Sequence, residues 1–256
     1  MSFRVPGAYA RAMPLPPDSL LRLSRAEAQA HTRYGRAATF GPLHAAYAGP
    51  GLPLNTAWHD GTRAPDAAEL AAFEHFCAGF GVAPTLQLLS GAAAGALEGL
   101  EARGYHLSGL LHTYLHDLTG LPAPAEEVEE TADPAAWAEL SAQGFGEGSG
   151  PTMRVVAAAP GTRLFVARRR GQPAGSAALS LSGGVAALFG MSTRPEWRGQ
   201  GVQTALLRAR LHAAAQAGAD FASVFVTPDA PSERNIRRAG FGLAGARLTF
   251  TRPAPP

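Results

Sequence analysis

Ser192-Thr-Arg-Pro-Glu-Trp-Arg-Gly-Gln-Gly-Val-Gln-Thr-Ala-Leu-Leu207 is the stretch on which the reading of the whole chain turns. An uncharged, strand-like segment from Val185 to Met191 precedes it. A run without glycine or proline, Val202 to Gln216, follows it. The order is strand, glycine-bearing turn, helix. In that geometry the first N–H groups of the helix lack intrahelical acceptors and converge on one point, where the helix dipole adds partial positive charge. Gly199 and Gly201 place no side chain in the way, and Arg194 and Arg198 supply full charges. A turn of this build holds an anion, most naturally a phosphate or pyrophosphate.

Two common phosphate motifs are excluded. All 22 basic residues are arginine, so there is no Gly-Lys-Ser/Thr, and the glycine spacing is not G-x-G-x-x-G. The stretch instead resembles the pyrophosphate loop of the GNAT superfamily of acyl-CoA N-acyltransferases, R/Q-x-x-G-x-G/A. Arg198, Gly201 and Gln203 take the marked positions. Gln203 departs from the usual glycine or alanine but keeps its backbone N–H. Pro195 and Trp197 also stand where that family often has a proline and an aromatic residue.

Composition sets wider bounds. A chain of 256 residues forms one large domain or two of ordinary size. Apolar content of 46% and charged content of 16% belong to soluble globular proteins. A net charge of +2 is too small to argue for a nucleic-acid partner. The lone Cys77 permits no intrachain disulfide. Residues 1–17 contain Arg4 and Arg11 and no continuous apolar core, which argues against a signal peptide. The uncharged span 171–193 is broken by Ser182-Gly-Gly184 and reads as two strands and a turn rather than a membrane span. The expectation is a cytoplasmic protein without a membrane partner.

The chain in order shows two halves. A helix is expected from Asp18 to about Arg33, capped by Asp18 or Ser19, followed by loops with one or two short strands over 35–65. An amphipathic helix begins at Asp66, with Leu70, Phe73, Cys77 and Phe80 on one face. Thr85–Leu89 reads as a strand, Ala92–Ala102 as a helix and Tyr105–Leu118 as strand pairing. Leu121-Pro-Ala-Pro-Ala-Glu-Glu127 has the composition of a linker, giving domains at 1–124 and 125–256. Asp133-Pro134 then caps a helix, Leu164–Arg168 is a strand, and Arg169 to Pro173 is a hairpin turn. After the central loop come a strand at Phe221–Val226, a helix at Ser232–Arg238 and a terminal strand or pair at Phe241–Thr251.

The halves repeat. Gly104-Tyr-His-Leu-Ser-Gly109 aligns with Gly240-Phe-Gly-Leu-Ala-Gly245, 136 residues apart. The same offset, without a gap, sets Thr85 on Phe221 and Asp66 on Val202. In the first half the loop becomes Thr62-Arg-Ala-Pro-Asp-Ala67, with no glycine and with Pro65 lacking an N–H. That half keeps the scaffold and loses the anion cradle, so one site is expected, in the second half.

Ser232-Glu-Arg-Asn-Ile-Arg-Arg-Ala-Gly-Phe241 resembles the closing segment of GNAT domains, and the whole chain resembles tandem GNAT proteins with a degenerate N-terminal copy. The fold implied is α/β (α+β): two GNAT-like domains, each a mixed, mostly antiparallel sheet flanked by helices. The resemblance further implies acetyl-CoA as co-substrate, with pantetheine along Met191, Ser192 and Thr193. The pyrophosphate would sit on Arg198, Gly199, Gln200, Gly201, Val202 and Gln203, with Asn235 near the cofactor. The activity implied is N-acetyl transfer by direct attack of a small-molecule or peptide amine. The alternative is an acyl-CoA-binding sensor with little turnover. A transferase dependent on aminoacyl-tRNA is disfavoured, since it needs no intact CoA loop. Homo-oligomerisation is left open.

Catalytic residues are the thin part of this reading. Between Arg170 and Glu196 there is no carboxylate and no histidine to act as a base. Where the family often has a thiolate-protonating tyrosine, five residues before the Gly-Phe phenylalanine, stands Ile236. A tyrosine there would speed turnover if the side chain faced the sulfur. Glu147 reads as a solvated loop carboxylate, Arg168 to Arg170 as a hairpin turn, and His112 and His116 as structural rather than metal ligands. His212 reads as exposed and Cys77 as a core residue.

Overall fold

The computed structural model describes residues 16–123 and 127–253. Most of the N-terminal segment, and the junction proposed between residues 124 and 125, lie outside them. The helices are α1 (Ser19–His31), α2 (Ala67–Gly79), α3 (Ser90–Ala102), α4 (Pro134–Phe145), α5 (Gly150–Ala158), α6 (Val202–Gln216) and α7 (Pro231–Arg238). The strands of the first half are β1 (Arg36–Phe40), β2 (Leu43–Tyr47), β3 (Thr56–His59), β4 (Thr85–Leu89) and β5 (His106–His116). Those of the second half are β6 (Val128–Thr131), β7 (Thr162–Arg169), β8 (Gln172–Ser182), β9 (Val185–Thr193), β10 (Phe221–Val226) and β11 (Gly242–Thr251).

All eleven strands form one sheet in the order β1-β2-β3-β4-β11-β5-β10-β9-β8-β7-β6. Every neighbouring pair is antiparallel except β3–β4 and β9–β10. The two sheets expected from the sequence are therefore joined, and the halves exchange strands. β5, from the first half, pairs with β10 of the second; β11, from the second, pairs with β4 of the first. A cut between residues 124 and 125 separates the chain but not the sheet.

Helices cover both faces. Along β10, Phe221 packs with Leu23 and Ala26 of α1, while the adjacent Ala222 packs with Leu206 and Leu207 of α6. That is the period-two alternation of a sheet buried on both sides. By the same alternation α4 and α5 share the α1 face, through Trp137, Met153, Leu164 and Ala178, and α6 and α7 take the other. Helix α1 belongs to the first half but packs on Val185 and Phe221 of the second.

Several expectations change. Neither Asp18 nor Ser19 caps α1, since Asp18 makes no side-chain cap and the Ser19 hydroxyl donates to the Pro16 carbonyl at 2.7 Å. The region 35–65 holds three strands, and 105–118 is one long strand. The acidic run after the linker contains strand β6, where Glu129 and Glu130 pair with Arg168 and Arg163 across the edge. Helix α5 starts at Gly150, so the loop holding Glu147 ends within three residues of it.

Candidate functional site

Strand β9 and its neighbour β10 form the centre of the site. They pair in parallel only at Phe221–Val185, Ala222–Ala186 and Ser223–Ala187, and beyond that point they splay apart. On the other edge of β9, the register with β8 slips between Ser176–Ser192 and Ala178–Phe189, a bulge with Gly190 at φ +58°. A bulge bends its strand and leaves ladder groups unpaired. Residues Met191 to Thr193 thus run along one arm of an open V.

A buried arginine pins this bend. Arg210 on α6 is fully buried and donates to the carbonyls of Ala178 at 3.0 Å and Phe189 at 3.2 Å, with the Met191 sulfur at 3.1 Å. No carboxylate pairs with it among the described residues, and burial pushes its guanidinium down to about 9. A buried cation is costly unless its donors are met. Here the carbonyls freed by the bulge meet them.

At the wide end of the V lies the N-terminus of α6. Its capping residue, Gly201, is left-handed at φ +77° and no side chain caps the helix. Gly199 is also left-handed, at φ +75°, and a Cβ there would point into open space. A cleft of about 620 Å³ opens at this point. Met191, Ser192, Thr193, Arg198, Gly199, Gly201, Val202, Gln203 and Asn235 all line it; Gln200 does not. The Gln200 side chain turns back to the Glu196 carbonyl. Gln203 and Asn235 hydrogen-bond to each other across α6 and α7. Arg198 reaches the Gly144 carbonyl at 3.2 Å. Arg194 is taken by Glu196, whereas Arg238 of α7 lines the cleft.

The cleft fits an anionic, elongated ligand. The buried indole N–H of Trp197, on its wall, has no acceptor among the described residues. Gly144 packs so closely on β9 that a Cβ would stand 2.5 Å from the Ser192 hydroxyl, which fixes the cleft's floor. The equivalent helix of the first half is closed. Asp66 caps α2 by accepting from the Glu69 N–H at 2.9 Å, and the Glu69 carboxylate accepts from the Asp66 N–H at 2.9 Å. Two carboxylates occupy the place where an anion would bind.

The remaining candidates are accounted for by their partners. Ile236 is fully buried in the core under α7, while Pro231, Asn235 and Arg238 face the cleft. A side chain at 236 therefore does not face the cleft. His112 and the Tyr114 hydroxyl both meet Glu233, at 2.6 and 2.7 Å, and His116 accepts from the Leu118 N–H at 2.9 Å. Among the described residues no cluster of acids, histidines and cysteine is arranged to hold a metal. Arg168 and Arg169 pair with Glu129 and Glu127 of the β6 edge. His212 is half-buried against the Pro122 carbonyl. Burial pushes the Cys77 thiol up to about 12, as for an inert core residue. Glu147 is exposed, and no helix among the described residues is long and apolar enough to cross a membrane.

A second cavity, of about 250 Å³, lies on the α1 face. It borders β9 at Ala187 to Gly190, just before the stretch that lines the cleft, and Phe145 lines both spaces. Its other walls come from both halves: Glu27, His31, Tyr34, Trp58 and Gln87 from the first, and Met153, Ser180, Ser223, Phe225 and Arg247 from the second. Glu27 and Arg210 share one signal that is legible in the sequence. Each is a charged residue three or four positions from leucines on an apolar helical stripe, Glu27 after Leu23 and Arg210 after Leu206 and Leu207.

Residues 126–241 match the family model described as the acetyltransferase (GNAT) family. No curated protein matches the sequence. Among solved structures, a GCN5-related N-acetyltransferase from Kribbella flavida superposes with a TM-score of 0.70 at 19% identity, covering 92% of this chain and 96% of its own. A putative GNAT-family acetyltransferase from Novosphingobium aromaticivorans gives 0.58 at 15% identity, over 91% and 99% of the two chains. A tandem GNAT protein from the clavulanic acid biosynthesis pathway gives 0.52 at 18% identity, over 84% and 78%. These are likenesses of fold.

Proposed function

We propose, from the membership of residues 126–241 in the acetyltransferase (GNAT) family, that this chain transfers an acetyl group from acetyl-CoA to an amine. The observation that carries this reading is the split between β9 and β10, with the uncapped N-terminus of α6 at its wide end. In this reading the pyrophosphate takes the N–H groups from Gly199 to Gln203, beside Arg198. The pantetheine arm follows Met191 to Thr193, and Asn235 lies alongside. Bound there, acetyl-CoA supplies an activated acyl group, and the chain supplies position, oxyanion donors and a path for protons. The amine attacks the thioester directly.

The first half is, on this reading, a degenerate GNAT-like unit that binds no second cofactor, because the capping carboxylates Asp66 and Glu69 fill its loop. Calorimetric titration with acetyl-CoA should end at one per chain. Release of free thiol over a panel of amines then separates an enzyme from a CoA-binding sensor. An endpoint of two, or no binding, overturns the proposal. The location proposed is the cytoplasm, with neither nucleic acid nor membrane as a partner.

A further inference from the structure

The 250 Å³ cavity on the α1 face contains two charged groups of opposite sign that do not pair. Glu27 projects from α1 and Arg247 from β11, and neither has an ion-pair partner within 4 Å among the described residues. Three buried polar atoms on the same walls also lack partners: the Gln87 side-chain carbonyl, the Ser223 hydroxyl and Arg247 Nε. Ser223 is only 1% exposed, and it lines the cavity wall. Unmet buried polar atoms are uncommon, and several around one cavity mark a ligand's place. The remaining wall is aromatic, and Arg247 stacks on Trp58 and Phe225 at 5.8 and 4.9 Å from their centroids.

Taking acyl transfer to an amine as the activity, we infer that this cavity receives an apolar α-amino acid, its ammonium toward Glu27 and the Gln87 carbonyl and its carboxylate on Arg247 and Ser223. A zwitterion neutralises both lone charges at once, which a simple amine or a simple acid does not. The volume admits one amino acid, not a long peptide, and the aromatic wall suits an apolar side chain. The cavity abuts β9 at Leu188 to Gly190, where the strand begins to splay, so a nucleophile here approaches the thioester from the face opposite α6. The carboxylate that the β8–β9 hairpin lacks thus comes from the degenerate half.

Glu27 also fits the base. Burial raises its carboxyl to about 7, against the opposing pull of Arg247, so it is poised to take a proton near neutrality. The other titratable groups around it are His31 and Tyr34 of its own segment; β3, β4, β8, β9 and β10 bring Trp58, Gln87, Ser180, Phe189 and Ser223 to the cavity. His31 is held neutral by burial, its ring down to about 4. In the transfer a C–N bond forms as the C–S bond breaks. Of the two protons the ammonium loses, one passes to Glu27 and on to solvent, and the other ends on the departing sulfur.

The test is calorimetric titration of the full chain with L-phenylalanine, L-leucine and L-methionine, each beside its decarboxylated amine. At least one amino acid should bind about tenfold or more tightly than its amine. Arg247→Met should erase that preference and Arg247→Lys should keep part of it. Glu27→Gln should slow thiol release about a hundred- to ten-thousand-fold and remove a rate limb rising through pH 7, while leaving acetyl-CoA binding unchanged. Amines binding as tightly as the amino acids, no amino acid binding, or a preference that survives Arg247→Met would each overturn the assignment. Amino-acid binding that depends on Arg247 without acetyl-CoA binding or thiol release would uphold this site and overturn acyl transfer.

Discussion

Leu111 and Arg247 face each other across β5 and β11, and they are also equivalent residues of the two halves, 136 positions apart. A pseudo-twofold axis therefore passes through this pair, at the centre of the sheet. It relates β4–β11 to β10–β5 and the parallel pair β3–β4 to β9–β10. Each half completes the other. A fragment of residues 127–256 loses β5 and exposes the edges of both β10 and β11, and we expect it to be insoluble alone. Co-expression with residues 1–123 should restore soluble protein. A monomeric, folded 127–256 fragment by size exclusion and circular dichroism would contradict the exchange.

Gly201→Glu should abolish acetyl-CoA binding, by placing a carboxylate where the pyrophosphate is proposed to sit. The left-handed conformation at 201 adds about 1–2 kcal/mol of strain to any side chain, so Gly201→Ala is the control. Calorimetry should find measurable binding for the alanine variant and none for the glutamate. Equal affinity in both would remove the anion from this loop.

Ile236→Tyr should cost stability and give no gain in turnover. The isoleucine is fully buried, and forcing a larger side chain into a packed core costs about 1–3 kcal/mol. Urea denaturation and thiol release on the same preparation test both halves of this expectation. A faster enzyme of unchanged stability would mean that residue 236 reaches the cleft.

Arg210→Met should remove the donors for the Ala178 and Phe189 carbonyls at the β9 bulge. The unmet carbonyls cost about 1–3 kcal/mol, offset in part by relief of a buried charge. Acetyl-CoA affinity should fall, because the bulge that opens the cleft is no longer held. A variant as stable as the parent and as good at binding would show that the bend holds itself.

Acid should weaken the fold through Glu233. His112 and Tyr114, then the Asp229 N–H, hold its carboxyl at about 2, below its ordinary 4.5. Its contribution is fully present above pH 4.5 and is lost as pH falls through 2. Glu233→Gln should flatten the stability curve over that window in denaturant titrations, though not abolish it, since Glu69 is depressed in the same sense by Arg63. An unchanged slope would place the acid sensitivity elsewhere.

Local chemistry was legible in the sequence. The glycines before α6, the Asp133-Pro134 start of α4 and the gapless offset each act through neighbours in the chain, and the elements they imply are present. What sequence reading missed depends on distant partners. Strand β6 looks like an acidic tail until Arg163 and Arg168 lie across from it. Ile236 occupies the right place in a motif, but the face of α7 it lies on is set by packing. The second cavity draws on α1, β4, β10 and β11, and no local pattern brings Glu27, Gln87, Ser223 and Arg247 together.

The late arrival of β11 has a consequence during synthesis. Leu86 must wait for Phe250, roughly 160 residues downstream, before one side of β4 has a partner. At about 5–20 residues per second, that is on the order of ten to thirty seconds on the ribosome. Meanwhile Thr85-Leu-Gln-Leu-Leu89, short, leucine-rich and uncharged, stands as an open edge of the kind that recruits other chains. The nascent first half thus keeps this edge open until the last strand is released. The native protein hides this vulnerability completely, for in the finished sheet β4 lies between β3 and β11.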